Sequence, residues 1–301
     1  MQTERHRGVS VRRKDHRITI LLVLLSTLAA GPAVAGPPAA GRPPAGERSL
    51  IFGFLPIQST QRLTARFGPF VDYLAARLGV PVRMETAPDY AEFVRRTGRE
   101  RRYDILFTAP HFYWLAQREA GYRVIVRVAA PTMRAIIVVP VDSDIRDLQD
   151  LRGRTLATVD PLALGTVLVR DWLTAHGLDP DHDVVLVPTP THNASLLSAY
   201  KGATDAAALM IPPFRHARAE VREGMRILAR TDGVPHMPIA VAQRLPPDRV
   251  AALRDILLAM DEDPEGRALL ARMRWPGFVA ADPAEYEVLA PIAEQVRREL
   301  E

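Results

Sequence analysis

The residues best suited to chemistry fall at junctions between short apolar runs and amphipathic stretches. Asp160-Pro161 closes one such run, and Gly165-Thr166 opens the stretch that follows. A helix start there presents unpaired N–H groups and the positive end of its dipole, which suits an anion. The plainer alternative is that Asp160 caps the helix and Pro161 begins it. Thr191-His192-Asn193 stands at a second junction. His192 could donate a hydrogen bond to an oxyanion there, or serve as an ordinary cap. Tyr90, just after Pro88-Asp89, offers a hydroxyl and a ring face, or simple packing. His111, Phe112, Tyr113 and Trp114 form the densest aromatic patch. Helical geometry sends four consecutive side chains in different directions, so part of this patch is core and part can face a cleft.

Catalytic patterns are missing. The chain has no GxSxG, no HExxH and no GxxxxGK[ST]. Its eight histidines are scattered without metal-ligand spacing, and carboxylate pairs such as Asp142/Asp144 and Asp261/Asp263 sit in polar turns. There is no cysteine, which excludes a disulfide scaffold, a zinc-thiolate site, a Cys nucleophile and a lipid-modified N-terminal Cys. No metal and no cofactor is implied.

The elements that must position these residues alternate strand and helix. Leu50–Leu55 reads as a buried strand closed by Pro56. Leu63, Phe67, Phe70, Val71, Leu74 and Leu78 line one helix face, ended by Gly79. Strands over 80–86, 103–107, 124–128 and 135–140 frame helices over 91–97 and 111–120. A second set has strands over 155–159, 184–187, 206–210 and 225–229, with helices over 165–176, 194–200 and 215–223. Beyond Pro238 the chain reads as helical, ending in a seam of Leu289, Ile292, Val296 and Leu300. Such alternation predicts two α/β lobes with parallel-type sheets flanked by helices. Ligands of open α/β sheets bind where strands end and helices begin. The loops to inspect are therefore 56–60, 88–90, 108–111, 160–166 and 189–193.

The 301 residues are 48% hydrophobic and 25% charged, an ordinary globular balance. The net charge of +4 belongs entirely to the first 35 residues, and the remainder is neutral. Within that segment a basic stretch precedes the apolar run Ile18–Ala30, and Ala33-Val34-Ala35 follows. This is the layout of a secretory signal peptide over 1–35 with cleavage after Ala35; the run is short for a membrane anchor. Residues 36–48, rich in Pro, Gly and Ala, read as a flexible leader. The neutral remainder argues against nucleic acid as a partner.

Taken in order, the segments resemble a known family. Ile51-Phe52-Gly53-Phe54-Leu55-Pro56, Phe70-Val71-Asp72-Tyr73-Leu74, Asp89-Tyr90, and Tyr103-Asp104-Ile105 with Pro110 and Tyr113 match the first part of its pattern. Asp142-Ser143-Asp144-Ile145, Val159-Asp160-Pro161, Thr191-His192-Asn193-Ala194 and Gly202–Ala207 match the second. The chain thus resembles the periplasmic solute-binding proteins of phosphate, phosphite and phosphonate ABC transporters, the PhnD-like group. The resemblance implies the type II periplasmic-binding-protein fold, with lobe 1 at 49–135 joined by a return from 238–301, and lobe 2 at 136–237. It implies closure of the lobes over a small-molecule ligand of oxyanion type, with the crossing strands near Ile136–Val139 and Ile239–Ala242 as hinges. The partner is an ABC permease or, alternatively, a sensor kinase in the membrane, and an enzyme on the same fold is the least supported reading.

Junction loops and resemblance together mark the ligand-binding candidates. In the first lobe these are Pro56, Gln58, Tyr90, Thr108, Pro110, His111, Tyr113 and Arg134. In the second they are Asp160, Gly165, Thr166 and His192. After Asp160-Pro161 the family carries a Ser/Thr-rich turn, whereas this chain reads Leu162-Ala163-Leu164-Gly165. Fewer hydroxyl donors point to a less charged or more apolar ligand, because a buried dianion needs most of its oxygens hydrogen-bonded.

Overall fold

The computed structural model describes residues 48–301. The signal peptide expected over 1–35, and the leader as far as residue 47, lie outside the described residues.

The first half of the chain runs β1 (Leu50–Phe54), α1 (Thr60–Leu78), β2 (Val82–Glu85), α2 (Tyr90–Gly98), β3 (Ile105–Phe107), α3 (Pro110–Ala120) and β4 (Arg123–Val128). After a crossing come β5 (Ala135–Pro140), β6 (Thr155–Thr158), α4 (Leu164–Ala175), β7 (Val185–Pro188), α5 (His192–Tyr200), β8 (Ala206–Met210), α6 (Ile211–Arg215), α7 (Ala219–Glu223) and β9 (Met225–Arg230). A second crossing leads to β10 (Pro238–Val241), α8 (Pro247–Leu258), α9 (Pro264–Met273), β11 (Phe278–Ala280) and α10 (Ala290–Glu299).

These strands make two sheets, ordered β11-β4-β10-β3-β1-β2 and β7-β6-β8-β5-β9. The expectation of parallel sheets needs correction, because both are mixed. β2, β1 and β3 pair in parallel, as do β7, β6 and β8. β10 runs antiparallel between β3 and β4, and β5 antiparallel between β8 and β9. β5 and β10 are each the first strand after a crossing: β10 enters against β3 and β4, and β8 and β9 are later laid down against β5.

Three local expectations also change. The helix predicted over 215–223 is two short ones, α6 and α7. Pro212-Pro213 start a helix directly at the end of β8, and that turn is finished by Arg215. The return is not wholly helical, since β10 and β11 join the first sheet. The segments expected to cross between the halves, 136–139 and 239–242, are buried sheet residues instead. The chain crosses at 129–134 and 231–237, and an antiparallel bridge pairs Met133 with Val234.

Sequence explains much of the packing. α1 ends at Gly79, whose φ of 68° is the left-handed conformation expected of its cap. Pro69 inside α1 has no N–H to give the carbonyl of Ala65. Arg272 of α9 donates to that oxygen at 2.7 Å, so the gap becomes a tie between helices. Phe52, Phe54, Phe67, Phe70, Phe107, Trp275 and Phe278 fill one side of the first sheet with tilted and edge-on ring contacts. A separate core is continuous across both sheets, from Leu106, Tyr113 and Ala240 to Ala135, Ile137, Leu164 and Val167. The two halves therefore share a core, in which α10 packs on α4, and the crossing segments run between them at this seam.

Candidate functional site

Four helices begin at the carboxyl ends of parallel strands, and their first residues supply the site. Tyr90 opens α2, His111 is second in α3, Gly165 is second in α4, and His192 opens α5. Asp89 caps α2 by accepting the Glu92 N–H at 2.8 Å, and Thr191 caps α5 by accepting that of Ala194 at 3.1 Å. These caps fix where Tyr90 and His192 leave the backbone. Neither α3 nor α4 has a side-chain cap, since Ala109 and Ala163 stand at those positions.

The turn before α4 differs from the sequence reading. Asp160 does not cap the helix. Its carboxylate accepts the Leu162 N–H at 2.8 Å, and its carbonyl accepts that of Ala163 at 2.9 Å. The two extra residues push the helix start to Leu164 and leave the first N–H groups of α4 without a side-chain acceptor.

Contacts across the seam join these starts. His111, wholly buried, donates from Nε2 to the Leu162 carbonyl at 2.9 Å, reaching from the first sheet's helix to the second sheet's loop. Its ring packs on Phe112 at 4.1 Å between centroids, and Phe112 meets Tyr90 at 5.8 Å. Burial, with the nearby Asp160 carboxylate adding to it, pushes the Tyr90 hydroxyl up to about 12, so it stays a neutral donor. In the second half, a Cβ built on Gly165 would stand 3.2 Å from His192 Cε1 and 3.4 Å from Met210 Sδ. Glycine is what lets the imidazole lie on the start of α4.

Both imidazoles are neutral at neutral pH. Burial lowers His192 to about 4, and it lowers His111 to about 4 against the opposing pull of the Leu162 carbonyl. The Nδ1 atoms of both rings are buried and have no partner. The arrangement offers neutral hydrogen-bonding groups and a helix N-terminus to a small polar ligand, with Asp160 as a negative charge beside them.

The remaining candidates separate. Pro110 is the first residue of α3, placed where a missing N–H costs nothing. Thr108 is buried with its hydroxyl unpartnered, but it borders a narrow gap between α2 and α3 shared with Phe93 and Leu115. The Thr166 hydroxyl points back to the Val159 carbonyl at 3.4 Å. Tyr113 is turned into the core, where its oxygen accepts the Val124 N–H at 3.1 Å and its ring meets Tyr286 edge-on. Arg134 lies on the crossing segment and donates to the Thr231 carbonyl at 3.0 Å. Pro56 and Gln58 sit in the β1–α1 loop, with Gln58 exposed. Among the described residues no hydrogen bond joins either to the cluster. Sequence reasoning missed Leu162, which contributes a carbonyl any residue could supply, and Met210, which only the sheet brings beside Gly165.

The family model for phosphonate periplasmic substrate-binding proteins of ABC transporters matches residues 52–286. The chain belongs to this family. Its members are periplasmic proteins that bind a small-molecule ligand and work with an ABC permease. As a PhnD-like substrate-binding protein the chain has clear relatives. The phosphonates-binding periplasmic protein of Escherichia coli K12 is 24% identical over 258 residues, 82% of this chain and 75% of that one. The structure of PhnD1 from Prochlorococcus marinus in complex with methylphosphonate superposes with a TM-score of 0.72, covering 83% of this chain and 98% of that one at 17% identity. A binding-protein component of an ABC phosphonate transporter from Pseudomonas aeruginosa gives 0.69, covering 84% and 89% at 19% identity. At such identities the structural matches establish the type II periplasmic-binding-protein fold. Among the described residues of this PhnD-like protein, no helix is long and apolar enough to cross a membrane.

Proposed function

We propose that this protein is an exported receptor that closes its two lobes, 49–135 with 238–301 and 136–237, over a singly charged oxyanion. It then presents that solute to an ABC permease, with no chemistry done on it. The observation that carries this reading is the hydrogen bond across the seam from His111 to the Leu162 carbonyl, with the Asp160 carboxylate near enough to Tyr90 to act on its hydroxyl. A ligand seated among those residues touches both lobes at once, so binding and closure are coupled.

These groups support a ligand of low charge. One neutral imidazole, His192, and one phenol, Tyr90, can satisfy a few oxygens, aided by the start of α4; the single N–H of His111 is already given to Leu162. The Asp160 carboxylate repels a dianion, and the Thr166 hydroxyl is already engaged. The ligand is therefore an oxyanion of the phosphonate class with a small apolar substituent. Calorimetric titration with phosphate, phosphite, methylphosphonate and aminoethylphosphonate tests this. Methylphosphonate or phosphite should bind at least tenfold more tightly than the other two. Heat from none of the four, or a preference for phosphate, overturns the ligand assignment.

A further inference from the structure

His111 has a second property, which rests on the two-lobe reading above but not on the identity of the ligand. We propose that His111 is an acid-released latch: while neutral, it holds the two halves of the protein closed through its bond to the Leu162 carbonyl, and it lets go when protonated. The bond is direct, spans the seam and needs no bound solute, since α3 packs on the first sheet and Leu162 precedes α4 of the second.

The tautomer makes the bond sensitive to protonation. A carbonyl only accepts, so Nε2 must carry the proton and Nδ1 is bare. That Nδ1 is buried and has no partner. A protonated ring would bury a positive charge and a second N–H with no acceptor for it, and both are costly. Opening the seam would return the ring to water and remove that cost.

The neighbours do not offset it. Beside the bond, the loop contributes Asp160, whose carboxylate is exposed and engaged with the Leu162 N–H. Next, α2 contributes Tyr90, and α5 contributes His192, which lies over Gly165. The forces on His111 itself are burial and the Leu162 bond, with burial the larger. Because the closed-state value is lowered from 6.5 to about 4, the contribution to closure is complete above about pH 6.5. It is lost as the pH falls from there toward 4.

The chain has no cysteine, so two dyes can be attached at introduced ones without background. Gln61→Cys on α1 and Val185→Cys on β7 are exposed positions in opposite halves. Energy transfer between them is read in ligand-free protein from pH 7.5 to 4.5, with far-ultraviolet circular dichroism confirming that the chain stays folded. Transfer should fall on acidification in the parent and should fall distinctly less in His111→Gln, where only His192 at the seam and His236 on the crossing segment still titrate. A flat response in the parent, or the same fall in His111→Gln, overturns the latch. If His111→Gln does not fold, proton resonances of the His111 ring in the parent decide: titration near 6.5 without any change in transfer overturns it. Adding methylphosphonate at pH 4.5, where the latch is released, separately tests whether ligand restores transfer, so failure of the latch is distinguished from failure of the receptor reading.

Discussion

Gly165 and His192 approach so closely that a Cβ at 165 would fall 3.2 Å from His192 Cε1, tighter than ordinary van der Waals contact, and 3.4 Å from Met210 Sδ. Gly165→Ala therefore presses the imidazole away from the start of α4 by a small displacement. Alanine raises helix propensity by about 1 kcal/mol at a regular position, which offsets much of the local crowding. Thermal unfolding should shift by only a few degrees, while affinity for methylphosphonate falls at least tenfold by calorimetry. Unchanged affinity would remove His192 from the site.

Gly53 in β1 is a stricter case. A Cβ there would lie 2.4 Å from Cγ of Tyr103, a ring that is fully buried and stacked on Phe93. The ring cannot retreat without breaking that packing. Gly53→Ala should destabilise the protein by about 3 kcal/mol, at the upper end of overpacking costs. Urea denaturation with an unchanged slope would measure it.

Asp104 is a buried carboxylate that ties three strands. It accepts the Ile51 N–H at 2.9 Å and Arg244 Nε at 2.8 Å, and its carbonyl accepts the Ala242 N–H. Arg244 also donates to the Tyr103 carbonyl at 2.8 Å. Asp104→Asn retains one acceptor, whereas Asp104→Ala leaves the Ile51 amide without a partner and the Arg244 cation with backbone carbonyls alone. The alanine variant should lose about 3–5 kcal/mol, as broken buried pairs do, and the asparagine variant distinctly less. Equal losses in the two would show that the charge is not what matters.

One buried and two half-buried imidazoles set the acid side of stability. His111, His192 and His236 are each lowered to about 4, chiefly by burial. His236 Nδ1 also accepts the Met237 N–H at 2.9 Å, which requires that nitrogen to be unprotonated. The unfolded chain therefore binds more protons than the folded one between about pH 6.5 and 4, and stability falls as the pH drops through that window. Urea midpoints should be flat from pH 8 to 7 and decline below 6.5. His236→Asn should make the decline shallower.

Much of the fold was legible because apolar runs and glycine stops are local signals. The α1 face and its cap at Gly79 are written in adjacent residues, as are the β8 run and the start of α5. The mixed sheets were not, because strand direction depends on where a crossing chain enters, and nothing near Ile239 records that. The site was half legible. Tyr90, Gly165 and His192 stand at junctions that strand ends expose, so their positions could be read. Tyr113 stands two residues from His111 in the same aromatic patch, yet its place on the helix turns it to the core. The His111–Leu162 bond had no signal at all, since the acceptor is backbone.

The bridge between Met133 and Val234 consists of two reciprocal hydrogen bonds, at 2.8 and 3.0 Å. It turns the two crossing segments into a single ribbon instead of a pair of loose tethers. A ribbon resists splaying and sliding but still twists, so the relative travel of the two halves reduces to one angular coordinate. Any two distances measured across the mouth should then rise and fall in fixed proportion, as they do for points on a door hung from one pin.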